Sequence, residues 1–482
     1  MSLNKLPILL FMLCAVTAAE AAPLKVSLLL GDTHSKAAVE AVNAIRQEHP
    51  ELNEVSFRVY PSNGIRNRDL IHLQESNLII ILARGRQLFD SISPELKQAV
   101  NTGAKIYSVG ETSGEDFKKA GIIPSAQLNE YFHAGGMENL ENMLLCVLGT
   151  DLGFSFTCKE VKSIPEIGIY EHQTKSIFKT YDEYQKALPE YNKNKPVIGI
   201  VFYKSSLDSG QTKPVDALID SIEKAGFNTL SVFGYPSESA IENYFLDEKE
   251  KSRVRLIVAL GMKIGVNAST SIPLLTRLNV PVIDAITLYS QTREEWEKSA
   301  SGLDIFERAW QMALPELAGI IQPTIVASKE KSIDKETGAE FVEELPIAER
   351  IQRLTDRVRA WINLQDKPNK EKRVALMYYT YPPGKQNIGA SYLNVLPESL
   401  FLILDRMKEE GYYAGNGQLT KELLFDDVFN HGRNIGNWAG GEIDRLVRTG
   451  KPILILLDEY KQWFGELPDS LQKAILKDWG PV

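Results

Sequence analysis

The sequence predicts an α/β protein built as an array of doubly wound, Rossmann- or flavodoxin-like parallel-sheet units. Three observations lead there. Short apolar runs closed by glycine alternate with segments whose apolar residues recur at helical spacing. That alternation restarts twice along the chain. The composition, 44% hydrophobic and 24% charged over 482 residues, is that of soluble globular domains, with length for about two to four of them.

Taken in order, "MSLNKLPILLFMLCAVTAAEAAPLKV" has one cation, Lys5, an apolar run from Leu6 to about Ala18, and then small residues. Ala19-Glu20-Ala21 fits a signal-peptidase site, so residues 1–21 read as a secretory leader and export to the periplasm is expected. The run is too short to span a bilayer, and Leu13 precedes Cys14 where a lipoprotein needs a small residue. No later segment is long and apolar enough to be a transmembrane helix. Two cysteines then remain, Cys146 and Cys158. They fit either one disulfide in an exported chain or, for Cys146 within "MLLCVLG", a buried free thiol.

The first expected domain covers residues 22–160. "PLKVSLLLG" reads as a buried strand, Ser35–His49 as a helix, "VSFRVY" as an alternating strand, and "NLIIILARG" and "AKIYSVG" as further strands. The second domain, 161–330, opens on "KPVIGIVFY" and continues through the helix "VDALIDSIEKAGF" with Gly226 at its C-terminus. "TLSVFGY", "RLIVALG" and "VPVIDAIT" follow as strands. Residues 331–372 are expected to be a connector with a helix, because Ser328–Glu340 and Gln365–Arg373 are polar and charged. A third α/β unit is expected at 373–482, with strands in "RVALMYY" and "KPILILLDEY".

Charge excludes some functions. With 63 acidic and 54 basic residues the net charge is −9, and no basic footprint for nucleic acid is present. The stretch "YPPGKQNIGASYLNVLPESL" (Tyr381–Leu400) looks like a phosphate loop, but a P-loop needs glycine five residues before its Gly-Lys and a hydroxyl after it. Tyr379 and Gln386 stand there, so no ATP site is expected in the chain. Pro397 suits the first turn of a helix that runs through Leu400, Phe401, Leu404 and Met407 to Gly411. Residues 382–396 then form an irregular loop at the end of a strand, where open α/β sheets bind ligands. Lys385 and Asn387 offer donors to an anion; a packed structural turn is the other reading.

A second rich stretch, "HGRNIGNWAGGEIDRL" (His431–Leu446), combines Arg433, Asn434 and Trp438 with four glycines. Arginine and asparagine suit a carboxylate, and tryptophan suits a flat ring; a surface loop with one aromatic anchor is the alternative. The six histidines show no paired ligand spacing and there is no Cys-x-x-Cys, so no metal site is expected. No Gly-x-Ser-x-Gly elbow appears, and the catalytic residues stay unknown.

Several stretches together resemble one family, the CobN subunit of cobaltochelatase and the magnesium-chelatase H subunit. "YFHAGGMENLENML" resembles its Gly-Gly-x-Glu-Asn-Leu segment, and "PEIGIYEH" its Gly-Ile-Tyr-His segment, with Glu171 placed before His172. "KPVIGIVFYKSSLDSGQTKPVDALIDSIEKAGFNTLSVFG", "VPVIDAITLYSQTREEWEKSASGL" and "ALPELAGIIQP" are similar to the family pattern. So are "YPPGKQNIGASYL" and "DEYKQWFGELPDSLQKAILKDWGPV".

The resemblance implies a protein that handles a tetrapyrrole, such as haem, a porphyrin or a corrinoid, as substrate or ligand, with no intrinsic cofactor. ATP hydrolysis in such systems belongs to AAA+ partner subunits. Family members continue far beyond "WGPV", so a separately encoded C-terminal chelatase portion is an expected partner, as are haem-uptake components. The leader favours an exported, HmuS-like haem-dechelatase branch. A carrier without chemistry, a scaffold half of a split chelatase, and an ATP-dependent cobaltochelatase subunit are the alternatives. Lys385, Asn387, Arg433 and Asn434 are then the candidate ligands of the ring carboxylates, and Tyr392 or Trp438 the stacking surface.

Overall fold

The computed structural model describes residues 23–31, 34–62, 65, 70–82, 92–110, 120–188, 192, 194–260, 268–384, 387–388, 396–415, 417, 419–432, 434–436, 438–449 and 452–482. The expected leader lies outside them. No helix among the described residues is long and apolar enough to cross a membrane. The chain divides into two compact units, residues 1–362 and 363–482.

The larger unit holds two sheets. The first joins β1 (Lys25–Leu30), β2 (Ser56–Pro61), β3 (Leu78–Leu82), β4 (Lys105–Val109) and β5 (Ile122–Pro124) in the order 2-1-3-4-5. Every pairing in it is parallel. This is the flavodoxin-like order, and it follows from strands buried on both faces: Leu78–Leu82 carries no polar residue, and all five side chains are buried. Helix Ser35–Glu48 packs Ala38, Val42 and Ile45 onto one face, in a core shared with Met143, Leu144 and Val147 of helix Met137–Leu152.

The second sheet repeats the arrangement. It contains β6 (Ile167–Glu171), β7 (Ser176–Phe178), β8 (Val197–Phe202), β9 (Asn228–Gly234), β10 (Leu256–Leu260), β11 (Val282–Thr287), β12 (Ile320–Ile333) and β13 (Glu340–Pro346). Its parallel centre runs β9-β8-β10-β11-β12, again 2-1-3-4-5. The β6–β7 pair and β13 add antiparallel edges. Helix Lys213–Lys224 turns Val215, Leu218, Ile219 and Ile222 to the sheet, and Gly226 ends the turn at φ +97°, a conformation glycine adopts without strain.

Two expectations need correction. Ser328–Glu340 is not a solvated connector: Ala327–Ile333 pairs antiparallel with Glu340–Pro346, closing the sheet edge with a hairpin. Its polar composition reflects an edge strand with one wet face, and Asp334 ties the turn by accepting from Thr337 N and Oγ1, both at 2.7 Å. The smaller unit is helical among its described residues. The apolar runs expected as strands at 373–379 and 451–456 form none, only an isolated Thr380–Ile388 bridge. Met377 and Ile453 are 95% and 94% exposed, because no strand among the described residues of that unit lies alongside to bury them.

Cys146 and Cys158 are joined in a disulfide, Cα to Cα 4.3 Å, pinning the extended segment after helix Met137–Leu152 back onto it. Gly149 makes that return possible, since a Cβ there would sit 2.1 Å from the Phe156 carbonyl oxygen. Backbone cannot yield as a side chain can. Gly149→Ala is expected to destabilise the larger unit by about 1–3 kcal/mol, read as a lower midpoint in urea with an unchanged slope.

Candidate functional site

The two motif-rich stretches meet in the smaller unit, residues 363–482. Helices Leu396–Glu409 and Lys421–Asn430 supply the frame. The first begins next to Pro397, as that proline predicts, and Gly411 follows its end at φ +81°. Thr420 caps the second by accepting from Leu423 N at 3.2 Å. Between them Leu400 and Val428 bury Ile388, which anchors the signature loop in a small core with Tyr378, Leu424 and Phe429.

Hydrogen bonds then join the stretches. The Tyr378 hydroxyl donates to the Gly432 carbonyl at 2.5 Å, and the Asn434 amide donates to the Thr380 carbonyl at 3.4 Å. Gly432 N–H and His431 N–H both donate to the Asp427 carbonyl at 2.9 Å, closing the preceding helix. A Cβ on Gly432 would lie 2.2 Å from the Tyr378 hydroxyl oxygen and would push that hydroxyl aside. Burial raises the Tyr378 hydroxyl pKa above its ordinary value, so it stays a donor at neutral pH.

Among the sequence candidates, Asn387 donates its side-chain amide to the Pro382 carbonyl at 2.7 Å, shaping its own loop. Asn434 is exposed and links the loops. Trp438 is 72% exposed, and its ring lies over Gly436, where a Cβ would meet ring atoms at 2.5 Å. Lys385, Tyr392 and Arg433 lie outside the described residues. Two residues not singled out from sequence add aromatic surface: Tyr379 and Tyr381 are 60% and 62% exposed, with ring centroids 6.3 Å apart. The alternation Tyr-Tyr-Thr-Tyr was the signal for them.

Asp426, Asp427 and His431 each offer a ligand atom, all within 4.8 Å of one another. The four-residue step from Asp427 to His431 on one helix face was the sequence signal for this group, which a search for histidine pairs passes over. Both carboxylates are exposed, so solvation accounts for them without an ion. Elsewhere, His172 lies 2.9 Å from Asp220 through Nε2, and Glu171 accepts from Gln173 N and Thr174 N, both at 2.8 Å. These side chains serve the turn that follows β6.

The arrangement presents exposed aromatic faces beside amide donors on a loop held by a small core. Its chemistry is suited to a flat ligand with polar substituents.

Comparison with known proteins bears on this. Residues 129–482 match the family model described as CobN/Magnesium Chelatase. The aerobic cobaltochelatase subunit CobN of Pseudomonas aeruginosa is 24% identical over 478 residues, 94% of this chain and 36% of that protein. The magnesium-chelatase subunit ChlH of rice is 32% identical over 247 residues, 49% of this chain and 17% of that protein. Among solved structures, the catalytic subunit of cobaltochelatase from Mycobacterium tuberculosis superposes with a TM-score of 0.65 at 22% identity, covering 95% of this chain and 36% of that one. The chain thus spans about a third of the length of the curated relatives it matches. With nearly three quarters of its residues inside the family model, the chain belongs to the CobN/magnesium chelatase family.

Proposed function

We propose that this chain is the N-terminal part of an exported tetrapyrrole chelatase system and that it acts in removing a metal from, or inserting one into, a tetrapyrrole such as haem. One observation carries the reading: Tyr378 and Thr380 are joined to Gly432 and Asn434, with exposed Tyr379 and Tyr381 in the first stretch and exposed Trp438 in the second. Aromatic faces take the macrocycle, and Asn434 with the loop cations Lys385 and Arg433 takes its carboxylates. Metal exchange requires ring distortion, acceptors for the metal and protons for the pyrrole nitrogens. In this reading a polypeptide equivalent to the remaining length of the relatives is the partner in that exchange.

The leader at residues 1–21 and the Cys146–Cys158 disulfide favour an oxidising compartment outside the cytoplasm. ATP and AAA+ partners belong to the cytoplasm, so the exported reading favours the HmuS-like haem branch over an ATP-driven insertase. The length covered favours, as a second reading, a binding or scaffold half with no chemistry of its own.

Trp438→Ala tests the stacking role. Porphyrin affinity, followed by quenching of porphyrin fluorescence, is expected to fall about tenfold, as loss of one stacked aromatic does. Thermal stability should hold, because most of the side chain is solvent-exposed. Unchanged affinity removes Trp438 from the site.

A further inference from the structure

The segment Ile305–Leu317 is a continuous helix that buries two polar side chains and exposes several large apolar ones. It runs as helix Ile305–Arg308, a π-turn Ala309–Ala313 and helix Leu314–Leu317. Glu307 and Gln311 face inward, while Arg308 and Glu316 are exposed. Glu307 and Gln311 are only 2% and 4% exposed. Glu307 accepts from Tyr289 N at 3.1 Å, Ser290 N at 2.5 Å, Ser290 Oγ at 2.6 Å and Gln311 Nε2 at 3.0 Å. Gln311 also donates to the Thr287 carbonyl at 3.2 Å. Asp304 caps the start, accepting from Phe306 N at 2.7 Å.

The outward side carries an apolar stripe flanked by the exposed Arg308 and Glu316. Ile305, Phe306 and Leu317 are 67%, 77% and 75% exposed. Leu314 is 38% exposed, and Ala309 and Ala313 are exposed too. The π-turn gives this face its shape. A four-residue step overshoots a full turn by about 40° in an α-helix and falls short by roughly as much in a π-turn, so the mixed helix keeps the rows 305-309-313-317, 306-310-314 and 307-311-315 roughly in line. An α-helix would rotate those rows around the axis. The helix cannot roll to hide its apolar rows, because that would strip a buried carboxylate of its three hydrogen bonds from Tyr289 and Ser290.

An exposed apolar stripe held in place by a buried polar network marks an interaction surface. The fold around it recurs in the Mycobacterium tuberculosis subunit, where the matched part is only 36% of the chain. We propose that the Ile305–Leu317 face is a docking surface for a polypeptide equivalent to the rest of the chelatase large subunit, which lays the apolar face of a helix along the stripe between Arg308 and Glu316. Rows at four-residue spacing accept the ridges of a second helix at close approach. The net charge of −9 disfavours an anionic membrane as the occupant. The proposal rests on the partner reading given under the proposed function.

The test uses residues 22–482 and a separately produced polypeptide equivalent to the remaining part of the same organism's chelatase large subunit. Binding is measured by calorimetry, self-association by sedimentation, and lipid binding by flotation with phosphatidylcholine vesicles. Wild type should bind the polypeptide, and Phe306→Glu with Leu317→Glu should weaken that binding about a hundredfold or more, as loss of central anchors does. Leu402→Glu, at a 62% exposed apolar position on another helix, should not. The double variant should unfold at or above the wild-type temperature, since both side chains are exposed in the free chain. Binding that survives the double variant overturns the surface assignment and leaves the partner reading standing. No binding by wild type overturns both. Dimerisation or vesicle binding that the double variant abolishes, without polypeptide binding, overturns the proposal in favour of a second copy or a lipid surface.

Discussion

Asp284→Asn is expected to stabilise the larger unit at pH 7 by up to about 4 kcal/mol, and by less than about 1 kcal/mol at pH 4. Asp284 lies within β11, is 4% exposed, and its Oδ2 has no hydrogen-bond partner. Its row on the sheet contains Ala259, Val201 and Val232, an apolar face that cannot solvate a carboxylate. Burial pushes its pKa from 3.8 up to about 8. Between those values the folded chain holds a proton that the unfolded chain has lost. Stability is therefore full below the unfolded value and falls as pH rises through about 8. Asparagine has the same shape and never ionises, so its advantage should grow from pH 4 to pH 8. His72 works at the other end. Burial, then the charge of Lys25, lowers its pKa from 6.5 to about 4, so its contribution is lost as pH falls between those values. Comparing variant with wild type at each pH cancels the His72 effect. Urea titrations at pH 4, 6 and 8 decide it, and an advantage that does not vary with pH contradicts a neutral Asp284 in the fold.

Replacing Lys385 and Arg433 together by alanine is expected to lower the affinity for a dicarboxylate porphyrin about a hundredfold or more. Each charge-assisted hydrogen bond contributes about 1.5–3 kcal/mol. The loss should be small for the same porphyrin as its dimethyl ester, which has no carboxylate charge to recognise. Isothermal titration with the two ligands separates the cases. Equal losses for both would mean that the loop was disturbed rather than its charge, and no loss for either would remove both cations from the site.

The strands of both sheets were legible because they are buried on both faces. Runs such as Leu78–Leu82 and Leu256–Leu260 consist only of apolar residues, and parallel strands in a doubly wound sheet have no wet side. The β12–β13 hairpin was illegible for the opposite reason: its outer residues, from Lys329 to Lys331, read as a linker because one face is solvated. Val374–Met377 carries the composition of a strand, but composition cannot reveal whether a neighbour exists to pair with. The pairing of Cys146 with Cys158 depends on Gly149 admitting the chain close to the helix, a contact between backbones that spacing does not encode. At the candidate site, residue types pointed to the two loops, while their meeting rests on Tyr378 and Gly432, which neither motif highlights alone. The Ile305–Leu317 helix hid its exposed apolar stripe because "IFERAWQMALPEL" looks amphipathic in either orientation, and only the partners of Glu307 tell which side is inside.

The most direct measurement is a titration of residues 22–482 with haem and with metal-free porphyrin, following the Soret band and then free iron under reducing conditions, alone and with a polypeptide equivalent to the remaining length of the relatives. The account predicts a shifted Soret band with the chain alone, dependent on Trp438, and iron release when the polypeptide is added. A Soret band that does not move at any protein concentration would contradict it, placing the macrocycle site outside this chain.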